Sequence, residues 1–398
     1  MLSTRHYLSS LASWNSIRNT VCLLMASFLC LTASRPVAVP QPSTEHDGNT
    51  YATSDGVKFR VETVATGLEV PWSMAFEGTD LYFTERRGKL WVLRNGDHLP
   101  SLIGEIKGVH SYGEGGLMGL AFHPHFKENK FVYLSLSYEI DGRTLNRVVR
   151  FNLIDGRLTS ERTIIARLPG AGIHNGCRIR FGPDGKLYIT TGDGAHREIA
   201  QDTMSLGGKI LRVNDDGSIP SDNPFPDSPV YTLGHRNGQG LDWHPEFGLL
   251  FESEHGPSGF DGPGGGDEIN LIEPGKNYGW PIVHHRARAD GMVSPVAEFT
   301  PAVAPSGASF YSGSLFPVFQ NNFFVATLVG KRLLRVEIDF TTGRTVSRVE
   351  PLLENAYGRL RDVEEGPDGA IYFCTSNRDG RGNPTSEDDR ILKIVPVP

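Results

Sequence analysis

The feature that most constrains this 398-residue chain is a strand–turn–strand unit that occurs six times in one order. Its clearest copy runs Arg178-Ile179-Arg180-Phe181, a Gly182-Pro183-Asp184-Gly185 turn, then Lys186-Leu187-Tyr188-Ile189-Thr190. Proline presets the second turn position, and Asp and Gly suit those that follow. The same layout appears in Met74-Ala75-Phe76 with residues 80–84, in residues 119–124 with 131–134, and in residues 241–245 with 249–252. It is looser in Ser309-Phe310-Tyr311 with residues 322–325. It returns in Asp362-Val363, Gly366-Pro367-Asp368-Gly369 and Ile371-Tyr372-Phe373. Most copies are followed by a basic, aliphatic outer strand: Lys89-Leu90-Trp91-Val92, Arg147-Val148-Val149-Arg150, Lys209-Ile210-Leu211-Arg212, Arg332-Leu333-Leu334-Arg335 and Arg390-Ile391-Leu392-Lys393.

Six such units predict an all-β, six-bladed β-propeller, which closes short sheets around a channel and hides most strand edges. Lys58-Phe59-Arg60-Val61 is the candidate closing strand, docking on the last blade. A β-sandwich is the alternative, but here the order within each unit repeats, not merely its composition. Only residues 195–206 carry a short helical pattern. The 46 Gly and 26 Pro suit a turn-rich all-β chain.

The N-terminus reads separately. Arg5 and Arg18 precede an apolar stretch, residues 21–31, followed by Thr32-Ala33-Ser34. This is the form of an export signal, with a run too short to span a bilayer comfortably. The expected organisation is an export signal over residues 1–34, a flexible Pro/Ser/Thr-rich linker over 35–55 and a catalytic propeller over 56–398, in a secreted or periplasmic protein without stable membrane insertion. Cys177 and Cys374 remain beyond the signal, both in apolar strands, and read as packing residues rather than a disulfide framework. A net charge of −7 without long runs of either sign argues against non-specific nucleic-acid binding.

The chemistry gathers at loop ends. His174 precedes the inner strand of its unit, and Asp193 follows the next strand. The two strands run out and back, so both residues fall on one propeller face, where a carboxylate holds a histidine base in one tautomer. Taken alone, the pair reads more readily as His174 capping a turn and Asp193 binding backbone amides; the motifs that follow favour the catalytic reading. Gly234-His235-Arg236-Asn237-Gly238 offers a guanidinium, suited to a developing oxyanion, and an amide. Glu254-His255-Gly256-Pro257 precedes a glycine-rich segment whose carbonyls suit calcium. Arg359 and Arg361 alternate, hence share one side of an extended segment, and suit a ligand with several carboxylates.

These motifs resemble the soluble pyrroloquinoline quinone-dependent sugar dehydrogenases of the glucose/aldose (sorbosone-type) family, over about residues 57–396. The resemblance rests on residues 113–124, 174–193, 208–212, 234–237, 254–257, 277–281 and 359–362, in that order. It implies pyrroloquinoline quinone and calcium as cofactors, a small-molecule sugar as substrate and an external electron acceptor. It implies that His174 takes the proton from the anomeric hydroxyl as hydride passes to the quinone, yielding the lactone. Asp193 would orient His174. Arg236, Asn237, Arg359 and Arg361 would hold the quinone, and the carbonyls of Gly256 and Pro257 would bind calcium. Glu268 and Tyr278 fall where some members bind further calcium.

Some positions depart from the pattern. Val329 aligns with a cofactor-binding lysine of the glucose-oxidising branch, and Lys331, two residues on, is the candidate replacement. Ala302 stands where that branch has a hydroxyl residue, and Glu114, at the cofactor, replaces a glutamine. The rival readings are a calcium-dependent lactonase-type hydrolase and a secreted binding propeller without catalysis. Pairing into a homodimer is left open by the sequence.

Overall fold

The computed structural model describes residues 49–397 except 342 and 343. The expected export signal and most of the linker lie outside the described residues. The rest forms six antiparallel sheets. Blade 1 runs, from its first strand outward, Pro71–Glu77, Asp80–Glu85, Lys89–Leu93 and Ser101–Glu105. Blade 2 is Leu117–Phe122, Phe131–Ile140, Arg143–Ile154 and Arg157–Pro169; blade 3 is Gly176–Phe181, Leu187–Thr191, Lys209–Val213 and Val230–Leu233. Blade 4 is Gly238–Trp243, Leu250–Glu254, Asp267–Ile272 and Ala297–Phe299; blade 5 is Pro305–Phe310, Phe323–Thr327, Leu333–Asp339 and Thr345–Leu352. Blade 6 is Leu360–Glu365, Ile371–Thr375 and Ile391–Pro396, completed by Lys58–Ala65 and, at the edge, Thr50–Ala52. First strands of successive blades touch one another around a closed ring, blade 6 meeting blade 1.

The repeat is built as its residues dictate. In blade 3 the Gly185 N–H donates to the Gly182 carbonyl (2.9 Å), and Tyr188 Oη donates to Asp184 (3.0 Å). Blade 6 repeats both bonds with Gly369, Gly366, Tyr372 and Asp368, at 2.9 and 3.0 Å. Second strands such as Leu187–Thr191 and Ile371–Thr375 are buried throughout, because a neighbouring blade covers each face. The core is therefore distributed. Leu117 and Leu134 pack with Leu90 and Val92 between blades 1 and 2, and similar clusters fill the other five junctions. Trp72, Met118 and Cys177 pack together from the first strands of blades 1 to 3.

Lys58–Ala65 pairs antiparallel with Ile391–Pro396, Val61 opposite Ile394, as the closing role requires. One expectation needs correction. Thr50–Ala52 pairs with Arg60, Phe59 and Lys58, so ordered structure begins within the segment expected to be linker. The basic outer strands are third in their blades, and a fourth, not anticipated, covers each, because a third strand still has a free edge. The short helix expected within residues 195–206 is a 3-10 helix, Arg197–Gln201, while a one-turn helix at Phe126–Asn129 was not anticipated. Both cysteines are buried and free, and burial pushes their thiols well above the usual range. Among the described residues no helix is long and apolar enough to cross a membrane.

Candidate active site

A cavity of about 670 Å³ opens at one end of the ring. Its walls are the loops entering first strands and leaving second strands, which antiparallel pairing brings to the same face. Trp72 and Met118, from the apolar centre, also line it.

His174 stands on the wall where the chain enters blade 3, with a left-handed backbone (φ 55°). Its N–H donates to Glu114 (3.1 Å), and its carbonyl accepts from Gly194 (3.2 Å). Gly192 lies so close that a Cβ there would fall 1.8 Å from the His174 carbonyl oxygen, so glycine alone fits. His174 Nδ1 lies 2.7 Å from Asp193 Oδ1, with both side chains buried. Asp193 Oδ1 also accepts the Ala195 N–H (2.8 Å), and Oδ2 accepts the Trp280 indole N–H (2.9 Å). This leaves Nε2 as the ring nitrogen that Asp193 does not engage. Phe260 stacks on the imidazole, 6.0 Å between centroids.

Arg236 and Asn237 line the cavity where the chain enters blade 4. The Arg236 guanidinium is already partnered. Nε donates to Asp261 (2.8 Å), Nη2 to Ser258 (3.0 Å) and Nη1 to the His255 carbonyl (3.3 Å), while the group packs over Trp280. Asn237 Oδ1 accepts from the Gly176 N–H (3.0 Å) and from Gln239 (3.1 Å). Arg359 grips Asp379 through Nε and Nη2, both at 2.8 Å. Arg361 gives Nη1 to Gln239 (3.1 Å) and packs over Trp72, but its buried Nε has no partner. Burial, reinforced by Arg359 and opposed by Asp379, draws the Arg361 pKa down to about 10.

Glu114 bridges the cavity rim, accepting from Arg381 Nη1 (2.6 Å) as well as from His174. Burial pushes its pKa up, but Arg381, His255 and the His174 N–H outweigh that and hold the carboxyl below its usual value. Gly256 and Pro257 also line the cavity. The Gly256 N–H donates to Asp267 (2.8 Å), and a Cβ there would lie 2.2 Å from the Gly266 carbonyl oxygen, so this loop packs backbone on backbone.

Other expected residues lie elsewhere. Lys331 is exposed in the turn between Phe323–Thr327 and Leu333–Asp339 and is absent from the cavity wall, whereas Val329 lines it. Lys331 therefore does not stand in for the missing lysine, because the turn carries it past the cavity rather than along a shifted strand. Glu268 and Tyr278 lie off the main cavity, in a small crevice shared with Glu254, Gly256 and Pro257. Burial and the facing Glu254 push Glu268 well above the carboxylate range. The Tyr278 hydroxyl is spent on the Leu271 carbonyl (2.6 Å).

The wall residues that were missed include Arg86, Arg381 and His255. Arg86 follows the second strand of blade 1, and its buried Nε has no partner. Arg381 and His255 follow the second strands of blades 6 and 4. Burial lowers the His255 pKa to about 4, keeping the ring neutral, and its Nε2 is unpartnered. The signal for Arg86 and His255 was their place in the repeat, the first residue past a second strand, one before the position that Asp193 takes in blade 3. In all, five arginines and three carboxylates line the wall, so the site presents net positive charge.

The glucose/sorbosone dehydrogenase family model matches residues 68–388. The chain belongs to that family. It is 32% identical to the aldose sugar dehydrogenase of Escherichia coli, over 84% of this chain and 92% of that protein. It is 29% identical to quinoprotein glucose dehydrogenase B of Acinetobacter calcoaceticus, over 87% and 91%. Among solved structures, the PQQ-bound aldose sugar dehydrogenase of Streptomyces coelicolor is similar, with a TM-score of 0.76 and 38% identity over 85% of this chain and 98% of that one. The match covers blades 1 to 5 and the first two strands of blade 6.

Proposed function

We propose that this protein oxidises aldose sugars at the anomeric carbon to the lactone, using pyrroloquinoline quinone and calcium. One observation carries this reading: a carboxylate-held histidine shares a cavity with an excess of arginines, two of which have buried Nε groups without partners. Unpartnered buried donors suit a ligand with several carboxylates. The names of the relatives in Escherichia coli, Acinetobacter and Streptomyces support the same class of reaction.

When bound, the quinone supplies the acceptor for the hydride leaving the anomeric carbon. Arg359, Arg361 and Asn237 would hold it, with Arg236 beside it. Carbonyls of Gly256 and Pro257 would hold calcium, an ion that takes oxygen ligands, and Glu268 with the Tyr278 carbonyl would hold a second one. His174 takes the proton of the anomeric hydroxyl at Nε2. Asp193 keeps the other proton on Nδ1 and stabilises the imidazolium that forms. Glu114 fixes the His174 backbone. The apolar stretch at residues 21–31 supports export to the periplasm or exterior.

Val329 and Ala302 on the wall favour a second reading, a binding propeller without catalysis. Reconstitution decides between the two. Apo-protein is titrated with quinone and calcium, its visible spectrum is followed on adding aldoses, and turnover is measured with an artificial electron acceptor. Expected results are a saturable quinone spectrum that bleaches with sugar, and release of quinone with a lower Tm on chelation. A quinone titration without saturation overturns the proposal; saturation without bleaching favours the second reading.

A further inference from the structure

A second group of titratable side chains is sealed between blades 3 and 4. Glu252 and Glu254 alternate on the strand Leu250–Glu254 and so share a face. Asn270 and Glu268 lie directly opposite them on Asp267–Ile272. His235, from the loop entering blade 4, places Nδ1 3.1 Å from Glu252 Oε2 and 2.8 Å from Glu254 Oε2. His235 and Glu252 have no solvent exposure. The cluster is short of donors: Glu252 Oε1 and Asn270 Oδ1, on side chains with no exposure, have no hydrogen-bond partner. A Cβ at position 238 would fall 2.0 Å from Glu252 Oε1, so only bare backbone closes that side.

We propose that His235, Glu252 and Glu254, with Asn270 beside them, bind a divalent metal ion of the Mn²⁺ class at this junction. Candidate ligand atoms of the first three lie within 4.8 Å of one another. The separations from His235 Nδ1 are close to the roughly 3 Å edge of an octahedron with bonds of about 2.1 Å. His235 Nε2 lies 2.9 Å from Thr232 Oγ1, so an N–H donated there leaves Nδ1 bare for a metal, the arrangement that fixes metal-bound histidines. The ion would supply the positive partner that the Glu252 carboxylate lacks, since neither of its oxygens has a hydrogen-bond partner. One imidazole among carboxylates suits Mn²⁺ better than calcium, which takes oxygen throughout. The second oxygen of Glu254 accepts the Arg236 N–H, so the ion would brace the cavity wall from behind. These ligands differ from those proposed for calcium, and the inference holds whatever the cofactor is.

The test uses the full chain, stripped with a chelator, resaturated with Ca²⁺, then titrated with Mn²⁺. Bound manganese is counted by elemental analysis after gel filtration, and the Tm is measured in parallel. Expected is one Mn²⁺ per chain with a raised Tm, both lost in Glu252→Gln, which keeps the side-chain shape. If that variant fails to fold, Thr232→Val, which frees Nε2, is expected to weaken Mn²⁺ about tenfold. No manganese uptake by the native chain overturns the proposal, because Ca²⁺ or shared protons then balance the carboxylates. Undiminished uptake in Glu252→Gln, or in Thr232→Val where that variant is needed, overturns it as well.

Discussion

Asp193 divides its two oxygens between His174 and Trp280: Oδ1 lies 2.7 Å from the imidazole Nδ1, and Oδ2 accepts the indole N–H at 2.9 Å. The indole thus fixes the carboxylate, and the carboxylate fixes the tautomer. Asp193→Asn offers an amide N–H to Nδ1, which moves the ring proton to Nε2 and disables the base. Turnover is expected to fall by roughly 10²–10⁴-fold, as for His174→Ala, with quinone still bound. Steady-state rates beside a quinone titration check this; turnover near that of the native chain refutes the role.

Lys331→Ala is expected to leave quinone affinity unchanged, since the residue stands outside the cavity. Val329→Lys, by contrast, places a cation on the wall and is expected to tighten quinone binding. Equal titration curves for the native chain and Val329→Lys would count against a cofactor in this cavity.

Arg359→Gln removes a charge from the wall and uncouples Asp379. One charge-assisted hydrogen bond is worth about 1.5–3 kcal/mol, so quinone affinity is expected to fall by roughly 10–150-fold. Circular dichroism on the same sample separates lost binding from lost fold.

Lys209 is a buried strut. Its Nζ donates to the carbonyls of Ile199, Ala200 and Gly207 at 2.9, 3.0 and 2.7 Å, pinning the loop beyond Asp193. Lys209→Met leaves these acceptors without their donor and is expected to cost about 2–4 kcal/mol.

Burial, against the pull of Asp202, draws the Lys209 pKa from 10.5 down to about 8. Between those values the unfolded chain binds more protons than the folded one, so this group raises stability as pH rises through that window. The Tm of the native chain minus that of Lys209→Met is expected to climb from pH 8 to 10.5. A flat difference would show that Lys209 keeps its charge on folding.

Much of this was legible from residues 174–193. A strand, a four-residue turn and a returning strand fix where both ends emerge, so the His174–Asp193 pairing follows from local geometry. Arg359 and Arg361 were legible as alternate residues of one extended segment, Arg361 in the strand Leu360–Glu365 and Arg359 just before it. The edge strand Thr50–Ala52 was not, because its pairing partner is specified by ring closure rather than by its own pattern.

The sequence by itself determined the blade count, the closing strand and the face on which the candidate site residues gather, since period and turn chemistry act over neighbouring residues. Tertiary structure alone decided which charges from different loops meet. It drew Arg381 onto Glu114, closed Asp261 over Arg236, turned Lys331 outward and left Arg86 and Arg361 with free donors. Those outcomes depend on how loops from different blades converge as the ring closes, a geometry that no local periodicity encodes.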